Sequence, residues 1–143
     1  PVKGLRVAVQ EYGLSNRDLL DALQQRGAQV LPVPVYRWAL PEDTAPLRRV
    51  LDEILTGHVQ VVLVTNAAQI DHVMQVMEQD GKTAQFKEAC KRLVIASIGP
   101  TASERLRSHG LSVDFEPSHG KMGILVKETS EQTQALTQKK ARA

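Results

Sequence analysis

The stretch Leu93-Val-Ile-Ala-Ser-Ile-Gly-Pro-Thr-Ala-Ser-Glu-Arg-Leu106 constrains the fold more than any other part of the chain. Leu93 to Ile98 is a short apolar run of the buried-strand type, Gly99-Pro100 breaks it, and Thr101 or Ser103 then offers a helix cap. A strand aimed at a helix N-terminus leaves unpaired backbone N–H groups beyond the strand's carboxyl end. An anionic group can be held there without any charged side chain.

The same unit recurs along the chain. Leu5 to Gln10 is a β-branched run, Glu11-Tyr-Gly-Leu-Ser-Asn16 has turn chemistry, and Leu19, Leu20 and Leu23 follow at helical spacing until Arg26-Gly27. Gln29 to Tyr36 reads as a second strand, and Pro32 and Pro34, which cannot donate ladder hydrogen bonds, place it at a sheet edge. After the loop Trp38 to Asp43, Asp43 or Thr44 caps a helix with Leu47, Val50, Leu51, Ile54 and Leu55 on one face, closed by Gly57. Val59 to Thr65 is the most continuous apolar run, which predicts a strand covered on both faces and central in a parallel sheet. Asn66-Ala67-Ala68 opens a helix whose Ile70, Val73, Met74 and Met77 read as core filling rather than a ligand surface.

Lys82 to Arg92 makes a further short helix, Leu93 to Ile98 a fourth strand, and Thr101 to His109 the helix after it. Leu111 to Phe115 reads as a fifth strand, Pro117 to Met122 as a loop, and Gly123 to about Gln134 as a last helix. The remaining residues have no apolar period and are expected to fray. The expected division is therefore one α/β domain over residues 1–128 and a polar tail over 129–143.

Five strands alternating with helices imply right-handed crossovers and a three-layer α/β sandwich. The expected sheet is parallel and five-stranded, with the flavodoxin-like order 2-1-3-4-5, in which ligands bind beyond the carboxyl ends of the strands. That edge singles out four loops, 11–16, 65–68, 99–101 and 116–121, and within them Tyr12, Gly13, Ser15, Asn16, Thr65, Asn66, Ala67, Gly99, Pro100, Thr101 and His119 as candidate ligand contacts. Tyr36 ends the second strand at the same edge.

Composition narrows the partners. A net charge of +2 with dispersed Lys and Arg gives no footprint for nucleic acid. No apolar run approaches the roughly 20 residues that span a bilayer, no signal pattern opens the chain, and the single cysteine, Cys90, reads as a packing residue; the expected setting is a reducing cytoplasm. Aspartate phosphorylation is excluded because Thr65 stands where the third strand would need an Asp. A flavin phosphate site stays open on the polar 11–16 loop, although aromatics are only 3% of the chain. There is no dinucleotide glycine fingerprint or phosphate-loop lysine, and His58, His72 and His109 have no partner at metal-ligand spacing, so no metal is expected.

Four segments carry a resemblance. Val33-Pro-Val-Tyr-Arg-Trp, Val61-Val-Leu-Val-Thr-Asn-Ala-Ala, Ala96-Ser-Ile-Gly-Pro-Thr-Ala-Ser-Glu-Arg-Leu and Gly110-Leu-Ser-Val-Asp-Phe-Glu-Pro-Ser-His-Gly-Lys-Met-Gly resemble, in order and spacing, the second half of uroporphyrinogen-III synthase. The resemblance implies a cofactor-free lyase of tetrapyrrole (haem and porphyrin) synthesis, which closes hydroxymethylbilane into a macrocycle with inversion of ring D. It further implies two α/β lobes and an acidic ligand held in the cleft largely by backbone amides. On it, Tyr36 takes the place of the family tyrosine that assists loss of the hydroxyl group, and Thr101 that of the threonine after Ile-Gly-Pro. The chain departs from the family at Ala102, where relatives often carry Thr, and at Thr65-Asn66, where they carry Thr-Ser.

The family enzyme is about twice this length, and the chain begins with Pro1 rather than Met, which reads as a processed product or a piece of something longer. Weak or absent activity is expected of the half alone. The rival readings are a stand-alone anion- or tetrapyrrole-binding or regulatory module, and a structural or engineered fragment. In the family, the segment resembling Leu5 to Tyr36 belongs to one lobe and residues from about 44 to the other. The segment either folds back to complete a single sheet or is exchanged between two copies as a swapped homodimer, with Trp38 to Thr44 as the hinge.

Overall fold

The computed structural model describes residues 1–13, 15–36 and 38–141, apart from the side chains of Tyr12 and Tyr36. The chain divides into two compact units, Pro1–Leu40 and Pro41–Ala143.

The first unit is one strand–helix–strand crossover. β1 (Arg6–Tyr12) pairs in parallel with β2 (Gln29–Tyr36), and α1 (Arg17–Gln25) connects them. Asn16 caps α1 by accepting from the Leu19 N–H at 3.1 Å. The Gln29 N–H donates to the Leu5 carbonyl at 2.8 Å, so the odd-numbered residues of β2 face β1. Successive N–H groups on a strand point to opposite edges. Pro32 and Pro34 therefore fall on the outer edge, where a missing N–H costs no ladder bond, as their presence in the sequence leads one to expect.

The second unit contains α2 (Ala45–Leu55), β3 (Val61–Val64), α3 (Ala67–Gln79), α4 (Thr83–Cys90), β4 (Val94–Ser97), α5 (Pro100–Ser108) and α6 (Met122–Ala141). β3 and β4 pair in parallel from Val61↔Val94 to Val64↔Ser97. The core is aliphatic: Leu51, Val76, Met77, Val94, Leu106 and Leu125 are almost fully enclosed, and Met74 and Met77 serve as filler as expected. An apolar cavity of about 50 Å³ lies among Leu51, Ile54, Phe86, Cys90, Ile95 and Leu106.

Several expectations are corrected. The five-stranded sheet with order 2-1-3-4-5 is not formed; the described strands make two separate two-stranded parallel sheets, β1-β2 and β3-β4. β3 is consequently not central, and Leu63 is 38% exposed, whereas every residue of β4 is buried. An apolar run specifies burial but not the partner that supplies it, and among the described residues β3 pairs on one edge only, with β4.

The expected fifth strand shrinks to one parallel bridge between Ala96 and Phe115. The cause is local, since the Asp114 carboxylate itself accepts from the Ile95 N–H at 2.8 Å and so replaces a ladder carbonyl. α5 starts at Pro100 with Gly99 as its cap, not at Thr101 or Ser103, because proline is pre-set for the first helical position. Ser103 is instead fully enclosed within the helix. The polar stretch expected to fray is helical to Ala141, with Thr133 and Thr137 donating to the carbonyls four residues back.

Candidate functional site

The candidate residues gather at the carboxyl ends of the strands, one group in each unit. In the first unit Tyr12 and Tyr36 are register partners at the ends of β1 and β2. Their side chains, and the whole of Arg37, lie outside the described residues. Gly13 follows β1 with φ +80°, and a Cβ on it would come 2.5 Å from Cδ1 of Trp38. A left-handed backbone under an indole admits only glycine. Ser15 is exposed and Asn16 is occupied as the cap of α1. One carboxylate oxygen of Glu11, which is half-buried in β1, is enclosed without a hydrogen-bond partner among the described residues.

In the second unit two strand–helix junctions stand side by side. The Ile98 N–H donates to the Val64 carbonyl at 2.9 Å, which holds the residues after β3 and β4 at one level. Asn66 caps α3 through a 2.7 Å bond from the Ala68 N–H to its Oδ1, and Ala67 is the first residue of that helix. Thr65 is fixed by Gln69, whose Oε1 accepts from the Thr65 N–H at 3.1 Å and from its hydroxyl at 3.3 Å.

At the neighbouring junction the Ser97 hydroxyl donates to the Gly99 carbonyl at 3.1 Å. Gly99 has extended backbone and no side-chain cap, so the first turn of α5, with Pro100 and exposed Thr101, offers N–H groups that no side chain has claimed. Two helix N-termini with positive dipole ends on one edge suit an anion.

His119 arrives at the same edge on the 117–121 loop. Gly120 lies against β4's end, where a Cβ would sit 3.3 Å from the Ile98 carbonyl oxygen. The loop is clamped from α6. The Ser118 N–H donates to Glu128 Oε2 at 2.8 Å, its hydroxyl lies 2.5 Å from Glu128 Oε1, and His119 Nδ1 is 3.2 Å from the same hydroxyl. The Ser118 hydroxyl and then its N–H hold the Glu128 carboxyl below the usual carboxylate range.

The structure thus brings Thr65, Asn66, Ala67, Gly99, Pro100, Thr101 and His119 to one edge of the second unit, and Tyr12, Gly13, Ser15, Asn16 and Tyr36 to one end of the first. Sequence reasoning missed Gln69, Ser97 and Glu128. Gln69 stands four residues after Thr65 at one-turn helical spacing, a signal that was available; Glu128 is ten residues from Ser118 and had none. Of the remaining histidines, His109 is engaged by Asp71, its Nε2 lying within hydrogen-bond reach at 2.8 Å from Oδ1. Among the described residues no helix is long and apolar enough to cross a membrane.

Residues 3–127 match the sequence family described as HEM4, Uroporphyrinogen-III synthase HemD. A protein of Methanothermobacter thermautotrophicus described as a "Putative uroporphyrinogen-III synthase" is 31% identical over 111 residues, which is 78% of this chain and 43% of that protein. The uncharacterised protein YjjA of Bacillus subtilis is 28% identical over 126 residues, 87% of this chain and 46% of that one. The crystal structure of uroporphyrinogen III synthase from the extremely thermophilic bacterium Thermus thermophilus superposes with a TM-score of 0.63 at 27% identity, covering 93% of this chain and 51% of that enzyme. The chain spans about half the length of the curated relatives it matches.

Proposed function

The chain belongs to the uroporphyrinogen-III synthase HemD family, and we propose that it supplies half of a cleft in which hydroxymethylbilane closes to uroporphyrinogen III with inversion of ring D. The observation that carries this reading is the pair of adjacent helix N-termini after β3 and β4, which falls within the residues that match the family. Backbone N–H groups of α5 and the 65–67 turn bind the substrate's carboxylates, with Thr101 and His119 at the rim. Tyr36 assists departure of the hydroxyl group, which leaves as water when the ring closes. No cofactor takes part.

The decisive assay follows hydroxymethylbilane to its cyclic products. Excess of the type III isomer over the spontaneous type I product supports the reading, and no such excess at any protein concentration overturns it for this chain. Tyr36→Phe lowers that excess while leaving the folded state intact; an unchanged rate removes Tyr36 from the mechanism.

A second reading, a module that binds a tetrapyrrole or another polyanion without converting it, is favoured by the half-length match. Binding of uroporphyrinogen with no turnover selects it. In either case we propose that the chain forms a homodimer in which β1 to β2 of one copy joins the sheet of the other, because β1 and β3 each keep one edge without a strand partner among the described residues.

A further inference from the structure

The hydrogen bonds of the 117–121 loop determine more than its shape. Glu128 Oε1 and Oε2 both receive bonds from Ser118, and an ionised carboxylate can only accept. The Ser118 hydroxyl therefore spends its single proton on Glu128. What remains to it toward His119, 3.2 Å away, is a lone pair, so Nδ1 of the imidazole must be the donor.

We propose that Glu128 is a positioning residue that, through Ser118, holds His119 as the Nδ1–H tautomer. Nε2 is then the ring atom left for a ligand. In the neutral ring it offers a lone pair that accepts from a pyrrole N–H, and in the imidazolium it offers an N–H that donates to a carboxylate. Both ligand groups occur on one substrate class, the pyrrole polycarboxylates. The tautomer follows from the bonds alone; its use on such a ligand rests on the functional reading above.

Three further contacts make the loop a frame in which a tautomer can be held. The Lys121 N–H donates to the His119 carbonyl at 2.7 Å, which tightens the turn around the ring. The Leu125 N–H donates to the Lys121 carbonyl at 2.9 Å, tying the loop to the start of α6. Gly120 rests on the Ile98 carbonyl, so the loop's other side is bounded by the β4–α5 turn.

The test reads the imidazole nitrogen chemical shifts of His119 by NMR on the isotopically labelled chain, at alkaline pH where the ring is neutral. The wild type is expected to show a protonated Nδ1 and a bare Nε2. In Glu128→Gln the amide NH₂ can donate to the Ser118 hydroxyl, which frees that proton for Nδ1 and inverts the tautomer. In Ser118→Ala the bridge is gone, and Nε2–H gains population. A wild-type ring that is mainly Nε2–H, or an Nδ1–H ring unchanged in both variants, overturns the proposal; Ser118→Ala decides it should Glu128→Gln fail to fold.

Uroporphyrin, an octacarboxylate, serves as the ligand probe in a parallel fluorescence titration. At the same alkaline pH, Glu128→Gln, which puts a proton on Nε2, gives the carboxylates one more donor and is expected to tighten binding about 2- to 10-fold, the equivalent of one hydrogen bond. Unchanged affinity, beside an inverted tautomer, removes His119 from the ligand. If uroporphyrin fails to bind the wild type at all, the functional reading falls, and the nitrogen shifts still decide the tautomer.

Discussion

Lys140 Nζ lies 2.9 Å from Asp114 Oδ1, with the two side chains only 14% and 17% exposed. The other carboxylate oxygen of Asp114 accepts the Ile95 N–H at 2.8 Å, and Lys140 also reaches the Ser112 hydroxyl at 3.2 Å. One carboxylate therefore fastens both the outer edge of β4 and the last turn of α6. Removing the lysine leaves an enclosed charge with half its partners gone, and Lys140→Ala is expected to cost about 1–3 kcal/mol in urea unfolding. The same change should speed amide exchange in the last turns of α6. A loss no greater than that from breaking the exposed Lys91–Glu88 pair would show that the tail is held by something else.

Cys90 ends α4 beside the apolar cavity and is 4% exposed. Burial pushes its thiol up to about 12, with Lys140 pulling weakly the other way. An unfolded cysteine ionises near about 8.5. The native pKa is the higher of the two, so the folded state binds more protons between these values. Stability is therefore intact below the unfolded pKa and falls as pH rises toward 12, by at most about 1.4 kcal/mol per pH unit. Cys90→Ala should flatten that alkaline loss at a cost of about 1 kcal/mol near neutral pH. Unfolding curves measured from pH 7 upward check the slope, and rapid labelling of the native thiol at pH 8 would contradict its burial.

The elements are legible in the sequence because their signals are local. Asn66 announces a helix start, and the spacing of Leu47, Leu51, Ile54 and Leu55 announces the inward face of α2, although Val50, expected on that face, is 51% exposed. Asn16 reads only as turn chemistry and Pro100 only as a break, and both turn out to open helices. Strand pairing is not local. The run from Val59 to Thr65 says that β3 prefers apolar surroundings and cannot say whether β1 supplies them, so the single sheet was the wrong expectation. Asp114 shows the same limit on a smaller scale: a polar residue inside an apolar run reads as an outward-facing strand position, and here its carboxylate turns in to take the place of a ladder carbonyl. At the candidate site, the helix N-termini follow from strand-to-helix punctuation, while the clamp of Ser118 by Glu128 depends on how α6 folds back beside its own preceding loop.

Asn66 tests how far capping and ligand binding share one geometry. Its Oδ1 takes the Ala68 N–H at 2.7 Å, which satisfies a donor that an anion could otherwise use. Asn66→Ala removes the cap and is expected to cost about 1 kcal/mol of stability, with Asn66→Ser recovering most of it. The exposed N–H gives a polycarboxylate one more donor, so uroporphyrin should bind the alanine variant at least as tightly as the wild type. Weaker binding by a variant that remains folded would mean that the Asn66 side chain itself contacts the ligand.

The separate sheets make the oligomeric state a quantitative question. In β1 the carbonyl of Leu5 faces β2, so the N–H and carbonyl groups of Arg6, Ala8 and Gln10 face the edge with no strand partner among the described residues. A swapped dimer would use that edge against β3 of the second copy, and light scattering should then give twice 15.8 kDa. Ala8→Pro deletes an outward N–H and leaves the bonds from β1 to β2 in place, and proline's φ is tolerated on an edge strand. The variant is expected to shift the mass toward a single chain, with β1 and β2 still paired by amide exchange. A wild-type mass of one chain at high concentration removes the swap, and a dimer unaffected by Ala8→Pro moves the interface away from the β1 edge.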